Sequence, residues 1–131
     1  MLYYSNALRH AQNEALIAFA GTGAIMHIYA GTQPASANDP INTQTLLVSL
    51  NIPGVFGTDT DGTLTLNTVT PAIVVAAGIA TFFRITQSNN TTVVLDGSVG
   101  TASADLILNE VDLYPLETVT ISSGTIIRNN I

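Results

Sequence analysis

The 131-residue sequence has no cysteine, no tryptophan and no lysine, and its only cations besides histidine are Arg9, Arg84 and Arg128. Without cysteine, disulfide staples, zinc–thiolate sites and thiol catalysis are excluded. Three scattered arginines in a chain of net charge −6 make no basic stripe for a phosphate backbone, so no nucleic-acid partner is expected. Charged residues are 9% of the chain, against about 25% in soluble domains. Its polar surface must therefore come from Thr, Asn, Ser and Gln. Long apolar runs are missing too. The longest, residues 72–83, falls short of the ~20 residues a spanning helix needs, and it holds Gly78 and β-branched residues that suit strands. No membrane association is expected. The opening "MLYYSNALRHAQNEA" has neither a basic start nor a continuous apolar stretch, so it does not read as a signal peptide.

Apolar residues, by contrast, are plentiful: 47% of the chain is hydrophobic and mean hydropathy is positive. A free monomer of this composition cannot easily keep its surface free of apolar patches. With a membrane set aside, the composition points to burial in a homo-oligomer or larger assembly.

Periodicity predicts one domain over 1–131, with a helix over 5–20, a β-sandwich or barrel over 24–127 and a short tail over 128–131. Ser5 can cap the helix and Gly21 can end it; Leu8, Ala11, Ala15, Leu16 and Phe19 form its apolar stripe, and His10 and Glu14 pair across one turn. Beyond Gly23 the period changes to two. "AIMHIYAGT" puts Met26 and Ile28 on one face, and Ile25, His27 and Tyr29 on the other. Strands recur about every ten residues between Gly, Asn, Asp and Pro signals, with "TLLVSL" ended by Pro53 and Gly54. That rhythm predicts an antiparallel sandwich or jelly-roll-like barrel with Greek-key connections.

Motifs of the kind that carry chemistry reduce here to structural ones. "GTGAIM" lacks the third glycine of a dinucleotide loop and follows a helix, so it reads as a helix stop. "GSVG" at 97–100 lacks the spacing of a nucleophile elbow and reads as a tight turn. "TDTDGT" at 58–63 offers Asp59 and Asp61 as hard ligands, but an EF-hand loop would need glutamate where Thr68 stands, so an Asp-Gly hairpin turn is the simpler reading. Glu110, Asp112 and Glu117 read as a solvated rim, and His10 and His27 as packed or surface imidazoles. No catalytic, cofactor or metal set is expected, and the chain is read as a non-enzyme.

Arg84 stands among Phe82, Phe83 and Ile85 in a stretch that reads as buried strand. Hairpin loops of three or five residues at "SNNT" put it on one face with Asp96, and the five-residue loop puts the two directly opposite. A partly buried structural ion pair between Arg84 and Asp96, one that a neighbouring subunit can share, is the expectation.

With the helix "NALRHAQNEALIAF" followed by "IYAGTQPAS", "TLLVSL", "GIATFFRIT" and "TVVLDGSVGTASADLIL", the sequence resembles small structural proteins of tailed-bacteriophage and prophage virions. It is most similar to capsid cement (decoration) proteins, β-rich accessories that brace the major capsid shell. The resemblance implies no cofactor and no catalytic residues, the major capsid protein and further copies of itself as partners, synthesis in the host cytoplasm, and a final place on the capsid surface. A tail or baseplate component and a host- or carbohydrate-binding β-sandwich are the alternatives.

Overall fold

A computed structural model describes residues 2–121 and 125–127; the 128–131 tail, Arg128 with it, lies outside the described residues. The fold is mainly β, with one helix, α1 (Asn6–Ala20), at its N-terminal end. The Ser5 hydroxyl accepts the Leu8 N–H at 3.1 Å, and Gly21, at φ 69°, donates its N–H to the Ile17 carbonyl. Both contacts satisfy backbone groups that a helix end leaves orphaned. The Gln87 amide adds a third, donating to the Phe19 carbonyl at 2.6 Å.

The strands in chain order are β1 (Thr22–Ala30), β2 (Thr45–Val55), β3 (Gly57–Thr60), β4 (Thr63–Leu66), β5 (Ala72–Ile73), β6 (Gly78–Thr86), β7 (Val93–Gly100), β8 (Leu106–Ile107), β9 (Asp112–Leu113), β10 (Thr118–Val119) and β11 (Thr125–Ile127). The main sheet runs β2-β1-β6-β7-β8, with β9 pairing the start of β6. Two small sheets, β10-β5 and β11-β4-β3, complete the set. All pairs are antiparallel except β7–β8, which is parallel.

Alternation divides the main sheet into two unlike faces. Ala24, Met26 and Ile28 of β1, Val48, Leu50 and Ile52 of β2, and Phe83 and Ile85 of β6 are buried inward. One apolar cluster joins them to Phe56, Leu64, Val74, Leu113 and Val119, from the segments that close over the sheet. Burying a side chain of this size is worth roughly 1.5–3 kcal/mol, so this cluster is the main source of stability. The other face carries Ile25, His27 and Tyr29, as the period-two reading of β1 predicts.

Two sequence expectations are corrected. β2 does not stop at Pro53 and Gly54 but runs on to Val55, with a register shift opposite Gly23. It is an edge strand, where a proline that cannot donate and a glycine at φ 75° are tolerated at a bulge. "GSVG" is no turn: Gly97 to Gly100 are the end of β7. A Cβ on Gly97 would come within 2.5 Å of the Phe83 ring, so glycine is there to admit that ring. The helix docks by its more polar side, an orientation that its spacing alone does not set. Asn13 and Ala20 are its buried residues, flanked by half-buried Arg9, Gln12, Leu16 and Ile17. Four residues of the expected apolar stripe, Leu8, Ala11, Ala15 and Phe19, face outward.

Polar contacts explain that orientation. The Asp59 side chain on β3 is covered, and its carboxylate accepts from the Asn13 amide at 2.5 Å and lies 2.6 Å from His10 Nδ1. A covered carboxylate without such partners would be costly, so Asp59 fixes which side of the helix docks. The hairpin turn beside it, Asp61-Gly62, has positive φ at both positions, as the type I′ turn of a two-residue β-hairpin requires. Gly62 also leaves room for Arg9: a Cβ there would lie 3.0–3.2 Å from the Arg9 side chain.

Candidate functional site

The outward face of the main sheet holds a row of polar residues running straight across four strands. Ser49 on β2 stands opposite His27 on β1, His27 opposite Arg84 on β6, and Arg84 opposite Asp96 on β7. Arg84 and Asp96 make a bidentate pair, with Nε donating to Oδ1 at 2.7 Å and Nη2 to Oδ2 at 2.8 Å. Their side chains are 6% and 5% exposed. The hydrogen bonds to Asp96 raise the Arg84 pKa above its ordinary value against the opposing effect of burial.

The register that produces this pairing is the one a five-residue loop would give, but the chain reaches it differently. Residues 87–92 form a six-residue connection, and a bulge between Ile85 and Thr86 takes up the extra position. Gln87 receives the turn, accepting from Asn90 N–H and donating to the Thr92 carbonyl.

His27 is buried beside this pair. Its Nδ1 lies 2.9 Å from Ser49 Oγ and its Nε2 3.1 Å from Thr86 Oγ1. Burial lowers its pKa, so the ring is neutral near pH 7, with one nitrogen donating and the other accepting. A serine hydroxyl beside an imidazole has nucleophile–base geometry, but the group that would orient the base is a hydroxyl and not a carboxylate. The arrangement suits hydrogen bonding better than proton abstraction.

Above this row lies an open cleft of about 440 Å³. His27 and Arg84 are on its floor, with Ser49, Asn51 and Thr86 around them. One end is bounded by Ile41 from the long β1–β2 loop, the other by Asn90 and Thr91 at the tip of the β6–β7 hairpin. Tyr29, also in the lining, stacks on Phe82 with ring centroids 5.1 Å apart and planes within 13°. Burial raises the Tyr29 pKa, with Arg84 opposing, so its hydroxyl is protonated.

The remaining residues singled out in the sequence are dispersed. His10 lies 3.9 Å from Glu14, as its helical spacing predicts, but its close partner is Asp59. That hydrogen bond raises the His10 pKa against a smaller effect of burial. Burial pushes Asp59 up, yet the bonds from Asn13, His10 and the Gly62 N–H outweigh it and hold the carboxyl below its ordinary value. Asp59 is thus occupied as a latch between α1 and the β3–β4 hairpin. Glu117 accepts the Tyr114 N–H at 2.8 Å within a turn, and with Glu110 it borders a second depression of about 300 Å³ that Asp112 does not line.

The cleft was not visible as such in the sequence. Period two places His27, Tyr29 and Arg84 on strands, but which strands adjoin is a long-range fact, and only that adjacency assembles the row. No known protein family, curated protein or solved structure matches the chain.

Proposed function

We propose that this chain is a non-enzymatic structural subunit of a larger assembly, of the capsid cement type suggested by its resemblance to phage virion proteins, and that α1 is its principal docking element. The observation that carries this reading is the outward face of α1. Ala7, Leu8, Ala11, Ala15, Ala18 and Phe19 share one arc of the helix, all exposed, with Leu8 at 45% and Phe19 at 51%. A surface helix normally turns such an arc to the core; here the core side is held by Asn13 and its bond to Asp59. Small side chains along the arc allow another surface to approach closely. Ile73, Val75, Ile79, Tyr114 and Leu116 add further exposed apolar area from two segments hydrogen-bonded to each other.

Charged residues are only 9% of the chain, which leaves wide uncharged areas of surface for packing among many neighbours, where no single ion pair sets the partner. High copy number on a shell compensates for modest affinity per contact through avidity. No helix among the described residues is long and apolar enough to cross a membrane, and the proposed location is the capsid surface, with the major capsid protein and further copies of the chain as partners. Imaging of particles made by the encoding genome tests this. Density for the chain spread over the icosahedral shell is the expected result; density confined to the tail would favour a baseplate role, and particles lacking the chain would refute both.

A further inference from the structure

We propose that the cleft on the outward face of the main sheet is a binding site for a neutral, polyhydroxylated ligand, a short saccharide in chemical class. This is independent of the docking role assigned to α1. The cleft volume falls within the range of small-molecule sites, and its lining alternates hydrogen-bonding and apolar groups. Asn51 and Asn90 each present an amide that donates and accepts, Ser49 and Thr91 each a hydroxyl that does both, and the first two have no side-chain partner among the described residues. Ile25, Ile41, Leu46 and Val93 intervene. Sugars make this double demand, since vicinal hydroxyls donate and accept at once while ring C–H faces need apolar or aromatic contact. The Tyr29 ring, held by its stack on Phe82, supplies a rigid aromatic wall.

Charge decides against ionic ligands. No carboxylate lines the cleft, and its one cation is already neutralised by Asp96. An anion would have to compete with a bidentate carboxylate, and a cation would meet the guanidinium. Two of Arg84's five N–H donors are committed to Asp96, which holds the guanidinium plane and leaves the others to a neutral acceptor. His27, fixed by Ser49 and Thr86 and uncharged at pH 7, keeps the floor neutral as well. The strands between Ile25 and Tyr29 span roughly 13 Å at about 3.3 Å per residue, room for an oligosaccharide lying along the sheet.

The test is a backbone-amide NMR titration of the full chain with neutral trisaccharides of glucose, mannose, galactose and N-acetylglucosamine at millimolar concentration, with sialic acid and inorganic phosphate as anionic probes. Saturable shifts at His27, Ser49, Asn51, Asn90 and Thr91 are expected with at least one neutral trisaccharide. Asn51→Ala combined with Asn90→Gly, the glycine preserving the positive φ at position 90, should weaken that binding about tenfold with Tm unchanged. Absence of saturable shifts with all the neutral sugars, unaltered affinity in the double variant, or larger shifts at the same amides from phosphate or sialic acid would each overturn the proposal.

Discussion

Arg84 and Asp96 meet across β6 and β7 with both side chains almost entirely out of water, which makes their pairing obligatory. Removing one partner strands the other's charge in a poorly hydrated site, at a cost of about 3–5 kcal/mol. Arg84→Met or Asp96→Leu alone should therefore lower Tm sharply, while the double variant should recover most of the loss. Additive losses in the double variant would show that the two residues do not act as a pair. The His10–Asp59 latch makes a second prediction at this scale. A raised His10 pKa contributes stability that is full below its ordinary value of 6.5 and is lost as pH climbs through the raised value. A lowered Asp59 pKa contributes stability present above 3.8 and lost as pH falls through the lowered value. The Tm difference between the natural chain and His10→Gln should thus be greatest near about pH 5 and shrink on the alkaline side. A difference that stays constant from acid to alkaline pH would contradict the latch. His27 works the opposite way: its lowered pKa withdraws stability as pH falls below 6.5, which is why the comparison must be made between variants and not read from one melt.

At the scale of elements, Gly97 and α1 show what sequence patterning can and cannot convey. Gly97 and Gly100 look like turn residues because glycine is the commonest turn signal. In β7 the glycine at 97 instead makes space for Phe83 from the neighbouring strand, a cross-strand fact that no local window contains. Gly97→Ala should cost about 1–3 kcal/mol through overpacking, measured by urea denaturation; a neutral effect would mean the ring moves aside freely. For α1, the caps, the length and the apolar arc were all legible, since each depends on residues three or four apart. Its orientation was not, because it is set by one buried carboxylate on β3. Leu8→Ser with Phe19→Ser should leave monomer stability within about 0.5 kcal/mol, as exposed substitutions do, while abolishing association. A large loss of stability would place those side chains in the fold's own packing and not at an interface.

For the whole molecule, the two faces of the main sheet divide the work: the inward one holds the fold together, the outward one presents a pre-organised polar cleft. Mainly β architecture with one N-terminal helix followed from periodicity and turn spacing. The brevity of β5, β8, β9 and β10 and the parallel β7–β8 pair did not, because backbone hydrogen bonds rather than side-chain patterns set where such short elements end and which neighbour they pair. What sets this chain apart is the combination of very few charges with exposed apolar side chains, including Leu116 at 85% exposure. Sedimentation velocity across a concentration series, on the natural chain and on the Leu8→Ser/Phe19→Ser variant, tests the assembly account most directly. The account predicts oligomers that grow with concentration in the natural chain and a monomer in the variant; a natural chain that sediments as a monomer throughout would contradict it.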